Sequence, residues 1–248
     1  MTDVIIEAIQ NEELTFEDIS FMRVRGIAGK HQGEDVHRRI GRGLSILTEL
    51  KEIDQYLYAY GPMVSAQWNY LLDDIYIDDF GDEPITIVDH GCGQGLALLL
   101  LFDKFGEDIV QMVDRIILIE PSEIALERAN HIANLCFPEA NIELVNKKFD
   151  DLDQEDLDLS DGATKIHLMS NILDVSSYDA GALFKKILDE NNTGIHRIFA
   201  VSHDRDFNGG KRLEIVYDWL KDCGADGDIY RFTANNSDAI GFDLSMEI

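Results

Sequence analysis

A chain of 248 residues with 48 acidic and 21 basic side chains carries a formal charge of −27, and 45% of its residues are apolar. That is enough apolar material for one sizeable α/β domain with extensions. The charge argues against free nucleic acid as a partner, since such affinity comes largely from Lys and Arg neutralising phosphates; it is first of all the charge of a well-solvated surface.

The three cysteines, Cys92, Cys136 and Cys223, are far apart and odd in number. With no CxxC pair and no Cys/His cluster, neither a metal site nor a disulfide framework is expected. The first residues lack the basic start and long apolar stretch of a secretory leader. The longest apolar run, Leu96 to Phe102, is too short to cross a bilayer. The expectation is a cytoplasmic protein with no membrane contact.

Residues 1–44 are ambiguous, but they hold the richest basic stretch, with Arg23, Arg25, Lys30, His31, His37, Arg38, Arg39 and Arg42. Those arginines suit an anionic substrate or a cofactor carboxylate; pairing with the acidic surface is the plainer reading. Residues 45–75 read as helical, with Ile46, Leu47, Leu50, Ile53 and Leu57 at steps of three and four. Gly61-Pro62 predicts a break, and a second helix would carry Val64, Trp68, Leu71, Leu72 and Ile75. Tyr56, Tyr58, Tyr60, Trp68 and Tyr70 read as packing for these helices. The alternative is an aromatic wall over a ligand, with Tyr60 and Gln67 exposed to it.

From residue 84 short β-branched runs alternate with helical stretches. Strands are predicted at 85–89, 116–120, 142–145, 165–169 and 198–202, with helices near 95–105, 122–136, 179–190 and 210–222. This alternation predicts a doubly wound, mostly parallel sheet. Two last strands, 229–233 and 242–246, have no helix between them and read as a terminal antiparallel hairpin, making seven strands. The division is an N-terminal helical extension or lid over 1–82 and an α/β domain over 83–248.

The chemistry concentrates at Val88-Asp89-His90-Gly91-Cys92-Gly93-Gln94-Gly95, between a strand and a buried helix. Gly91, Gly93 and Gly95 allow a tight turn and a close backbone approach to a ligand at a helix N-terminus. Alone, a GxGxG serves a dinucleotide, another nucleotide or mere helix packing. Asp89 stands where it can accept from an ammonium group. Glu120, followed by Pro121, ends the second strand, where a carboxylate can accept from ribose hydroxyls. All of these fall at carboxyl ends of strands, where open α/β sheets bind ligands.

These residues resemble the first motif and the acidic second-strand end of the class I S-adenosylmethionine-dependent methyltransferases. The stretch Leu118 to Ala129 is also similar to the segment that follows the ribose-binding acid in that family. The resemblance spans about residues 84–248. It implies a seven-stranded sheet with an antiparallel last strand and S-adenosylmethionine as cofactor. It gives Asp89 and the loop Gly91, Cys92, Gly93, Gln94 and Gly95 to the methionine part, and Glu120 with Pro121 to the ribose. Asp150, with Asp151 second, falls where the family commonly bonds the adenine amino group; a plain acidic surface run over 150–161 is an equal reading. The spacing from Gly91 to Glu120 is longer than such domains need, which implies an insertion near Phe105 to Asp114.

The fourth strand ends in Ser170-Asn171-Ile172-Leu173-Asp174. Asn171 is a candidate cofactor neighbour or a helix N-cap, and Ser170, Asp174, Tyr60 and His203 are candidate substrate contacts. The Asn/Asp-Pro-Pro-aromatic motif of amino-directed DNA and protein methyltransferases is missing, and so is a Pro-Cys nucleophile pair. His203, Asp204 and Arg205 follow the fifth strand, but no catalytic base is assigned, since positioning alone can supply much of a methyl-transfer rate. The implied function is methyl transfer to a small molecule or protein. The alternatives are a non-catalytic methyltransferase-fold binding or interaction subunit, and an RNA methyltransferase that uses the arginine-rich segment.

Overall fold

The computed structural model describes residues 2–29, 40, 45–160, 163–204 and 209–248. Lys30, His31, His37, Arg38, Arg39, Arg42 and Arg205 lie outside the described residues. The helical part supplies α1 (Val4–Gln10), α2 (Phe21–Ala28) and α3 (Leu50–Leu71). The sheet part runs β1 (Ile85–His90), α4 (Leu96–Phe105), α5 (Glu107–Val110), β2 (Val113–Ile119), α6 (Glu123–Cys136), β3 (Asn141–Val145), β4 (Thr164–Ser170), α7 (Ala180–Ile187), β5 (Ile195–His203), α8 (Gly209–Asp222), β6 (Asp226–Ala234) and β7 (Ser237–Glu247).

The seven strands lie in the order β3-β2-β1-β4-β5-β7-β6. β1 pairs in parallel with both β2 and β4, and only β7 runs antiparallel, against β5 on one side and β6 on the other. Every predicted strand is present, and the two last ones form the expected hairpin. β1 is buried along its whole length, as a central parallel strand covered on both faces must be. Its side chains alternate between the faces. Ile85 and Ile87 enter a layer shared with α1, α2, α3, α4 and α6, while Val88 enters a layer built with α7 and α8. The order reverses beside β1, where chain crossovers diverge and leave a crevice at the strand ends.

The helical part and the sheet part share one apolar layer. Ile5, Val24, Leu57 and Trp68 belong to the same cluster as Ile87, Leu99 and Ile116. The extra residues between Phe105 and Asp114 form the one-turn helix α5 and the turn before β2. No helix among the described residues is long and apolar enough to cross a membrane.

The predicted break at Gly61-Pro62 is absent, and α3 continues through Pro62. A proline within a helix leaves the carbonyl four residues earlier without its amide donor. Here that carbonyl belongs to Tyr58, and Arg25 Nη2 on α2 donates to it at 3.1 Å. The Arg25 guanidinium also lies 4.9 Å from the Tyr58 ring centroid, a cation–π distance. Arg23 pairs with Asp18 at 2.8 Å. Both described arginines of the basic stretch are therefore engaged within the N-terminal part.

Candidate functional site

β1 delivers the chain into the glycine loop, and α4 leaves it. Gly91, Gly93 and Gly95 all have positive φ, at 63°, 53° and 80°. Gly91 is held closest: a Cβ there would stand 2.8 Å from Ile172 Cγ2 and 3.3 Å from Phe149 Cζ. Gly95 caps α4 in the left-handed region and presses on the Ala129 backbone of α6, where a Cβ would stand 3.2 Å from Ala129 Cα. This glycine brings loop and helix together.

Glu120 lies one residue beyond β2 and braces the loop from the side. Its Oε2 accepts from the Gly93 amide at 3.0 Å and its Oε1 from the Ser122 amide at 2.9 Å. Burial pushes its carboxyl above the usual range, and the two amides oppose that. Two amide bonds leave further lone pairs on this carboxylate for a hydroxyl-bearing ligand.

Asp89 is fully buried. Neither of its carboxylate oxygens closes a well-formed hydrogen bond among the described residues, although the Leu98 amide of α4 faces it. Burial pushes its carboxyl up to about 8, with the Glu120 charge adding to the rise and the Leu98 amide opposing it. The acid thus sits at the N-terminus of α4, facing the Leu98 amide, and puts negative potential behind the glycine loop.

Loop, Glu120 and the ends of β3 and β4 surround a cavity of about 430 Å³, within the usual range for small-molecule sites. Gly91, Cys92, Gly93, Gln94, Glu120, Pro121, Asp150, Ser170 and Asn171 all line it. Lys147 and Lys148 enter its wall, with Lys147 Nζ held by Asp156 at 2.7 Å and Asp153 at 3.2 Å. Asp150 Oδ1 also accepts from the Asp179 amide at 3.3 Å. Beside it Phe149 tilts against Tyr178, ring centroids 4.6 Å apart, giving an apolar slot next to a carboxylate.

The structure does not bring all the sequence candidates to the wall. Asp89 and Gly95 sit inside the protein behind the loop. Asp151 is exposed and does not line the cavity. Asp174 is not in the wall, although its charge raises the hydroxyl pKa values of both Tyr56 and Tyr178. His203 pairs with Ala239 across β5 and β7 and stays outside the wall. Tyr60 is displaced by Tyr56, one turn earlier on α3, which lines the cavity while Tyr60 packs on it at 5.3 Å. Burial pushes the Tyr56 hydroxyl up to about 12, with Asp174 and Glu120 adding to the rise.

Gln67 is buried, not exposed to a ligand. It pairs with Asn171 through both amide groups: Asn171 Nδ2 donates to Gln67 Oε1 at 2.8 Å, and Gln67 Nε2 to Asn171 Oδ1 at 3.3 Å. Next to it, Trp68 Nε1 donates to Ser170 Oγ at 3.0 Å. Two successive residues of α3 thus dock on two successive residues at the end of β4. Asn171 holds φ at 55°, a conformation Asn tolerates better than most residues. It caps no helix.

One cluster has no sequence signal. His90, His167 and His196 are fully buried on neighbouring strands β1, β4 and β5. His90 Nε2 and His167 Nδ1 are 3.1 Å apart, His167 Nε2 and His196 Nδ1 2.9 Å, and His196 Nε2 and the Asn192 carbonyl 2.7 Å. The carbonyl only accepts, so His196 carries its proton on Nε2. Neutral rings then pass the same tautomer along the row and leave His90 Nδ1 bare, and no partner meets it among the described residues.

No family model and no curated protein matches the chain. Solved structures do. A protein of Listeria monocytogenes assigned to the class I S-adenosylmethionine-dependent methyltransferases aligns with 99% of this chain and 80% of its own, at 14% identity and a TM-score of 0.52. The plantazolicin methyltransferase BpumL, solved with a monoazolic desmethylPZN analogue and S-adenosylhomocysteine, aligns with 95% of this chain and 98% of its own, at 13% identity and a TM-score of 0.50. The fold is that of the class I S-adenosylmethionine-dependent methyltransferases.

Proposed function

We propose that the chain is an S-adenosylmethionine-dependent methyltransferase acting on a small-molecule or protein acceptor. The observation that carries this reading is the convergence of Glu120 and the glycine loop at one crevice, with the acid Asp89 buried directly behind the loop. A carboxylate with spare lone pairs suits the ribose diol, and the buried acid behind the loop sets a negative charge near the ammonium of the methionine part. Phe149 with Asp150 offers a ring face and an acceptor for an adenine. The acidic surroundings favour a ligand whose sulfonium and ammonium are positive.

Bound S-adenosylmethionine would supply an electrophilic methyl group. The chain's own part is to hold both reactants and exclude water. Ser170 and Asn171 stand at the end of β4, and Tyr56 and Val64 bring α3 over the same cavity. Alignment of this kind supplies much of the rate of a transfer to a ready nucleophile, so the reading assigns no general base. A soluble acceptor met in the cytoplasm, away from nucleic acid, is the partner consistent with a net charge of −27.

Isothermal titration with S-adenosylmethionine and S-adenosylhomocysteine tests the reading. It expects one site per chain with micromolar or tighter affinity, lost in Glu120→Ala. No heat at high micromolar ligand with correctly folded protein overturns it.

A further inference from the structure

Gln94 belongs to the glycine loop, yet its amide is committed inside the protein. Its Nε2 donates to the Ile53 carbonyl of α3 at 3.0 Å, and its Oε1 accepts from Arg128 Nη1 of α6 at 2.8 Å. Arg128 is fully buried. Its Nε reaches Asp3 Oδ2 at 2.8 Å and its Nη2 reaches Asp54 Oδ1 at 2.7 Å. Asp3 in turn caps α1 through the Ile5 and Ile6 amides. One guanidinium therefore ties α1, α3, α6 and the glycine loop together through bonds that its planar fork alone can make at once.

On the reading that the glycine loop holds the donor, we propose that Gln94 and Arg128 are positioning residues for donor binding. Gln94 is the splice: one of its amide atoms faces the helical part and the other faces the buried cation. Asp54 and Ile53 precede Tyr56, a cavity-wall residue, by two and three positions. Anything that sets the loop against a donor thus also sets the first turns of α3. A buried network in which every member is engaged has few alternative arrangements, so loop and helix move as a unit. Donor affinity then depends on a side chain whose polar atoms face away from the donor.

The test uses the full chain with S-adenosylhomocysteine as probe. Gln94→Met keeps the volume and removes both hydrogen bonds. Gln94→Glu keeps an acceptor for Arg128 but turns it away from donation to the Ile53 carbonyl. Arg128→Ala leaves two buried carboxylates uncompensated and risks misfolding, so the Gln94 pair carries the experiment. Each variant is measured by titration calorimetry, by unfolding without ligand, and by hydrogen exchange over 50–57 with and without probe. The expected result is a Kd raised tenfold or more in Gln94→Met and less in Gln94→Glu. Wild-type protein should also gain protection over 50–57 on binding, and Gln94→Met should lose that gain. A Gln94→Met protein that binds within twofold of wild type, or a wild-type helix unchanged by bound probe, overturns the proposal while leaving the donor site standing. Failure of wild-type protein to bind at all overturns the donor site itself.

Discussion

Gln67 and Asn171 hold each other by two side-chain hydrogen bonds, at 2.8 and 3.3 Å, across 104 residues of sequence. The pair joins α3 to the end of β4, and it keeps Asn171 at a φ of 55°. Gln67→Ala leaves the Asn171 amide without its buried partner, which typically costs about 1–3 kcal/mol. Urea unfolding should show that loss. S-adenosylhomocysteine affinity should stay within a few-fold, because the proposed donor contacts lie at the ends of β1, β2 and β3, not at β4. A Gln67→Ala protein as stable as wild type would show that the pair contributes nothing.

Gly91 and Gly93 are both at positive φ, yet they should not tolerate substitution equally. A Cβ at Gly91 would stand 2.8 Å from Ile172 Cγ2, whereas a Cβ at Gly93 meets nothing within 4 Å. Gly93→Ala should therefore cost only the left-handed backbone term, roughly 1–2 kcal/mol. Gly91→Ala adds a clash in the cavity wall and should also weaken S-adenosylhomocysteine binding more than tenfold. Parallel unfolding and calorimetry compare the two; equal effects would remove the steric argument.

The sheet was legible because its strands are short β-branched runs whose ends carry the unusual residues. Gly91 and Glu120 stand at such ends and line the cavity, and it was the resemblance to a methyltransferase motif, not spacing alone, that gave them ligand roles. The N-terminal part was not legible in the same way. Pro62 predicts a break only if nothing else caps the Tyr58 carbonyl, and the cap comes from Arg25, 33 residues away. Tyr56 and Tyr60 are one turn apart on a helix apolar on several sides, so periodicity does not say which ring meets the cavity. The histidine row was invisible because His90, His167 and His196 meet only through strand register, a diagonal across β1, β4 and β5 that no local pattern encodes.

Asp89 should trade stability against ligand binding. Its carboxyl titrates near 8 in the folded chain, against 3.8 for an ordinary one. A raised folded pKa contributes stability that is full below about 3.8 and is lost as pH rises toward 8. Near pH 7 Asp89→Asn should thus be more stable without ligand by roughly 2–4 kcal/mol. It should bind S-adenosylmethionine more weakly, since the charge that answers the ammonium is gone. Wild-type affinity should rise with pH from 6 to 8 as a cationic ligand favours the ionised acid, and the Asn variant should show no such rise. Calorimetry at three pH values and urea unfolding at pH 7 check both halves. An Asn variant that binds as tightly as wild type would take Asp89 out of the donor site.

The histidine row should make the fold acid-sensitive. Burial pushes His90 down to about 3 from 6.5 and holds His167 well below its usual value, with the neighbouring His196, His90 and Lys165 adding to the drop at His167. The unfolded chain therefore takes up protons at these rings before the folded chain does. Stability from His90 is full above about 6.5 and is lost as pH falls toward 3, at about 1.4 kcal/mol per pH unit below 6.5. Asp89 pulls the other way over part of this window, so the absolute pH profile mixes the two. His90→Gln keeps a donor for His167 Nδ1 without titrating, and Asp89 is common to both proteins. The difference between wild type and His90→Gln isolates the ring. Urea unfolding at pH 7.5, 6.0 and 5.0 should show the variant gaining on wild type as pH drops, by about 1 kcal/mol or more at pH 5.0. Parallel profiles would mean that the His90 ring charges in the folded protein as readily as in the unfolded chain.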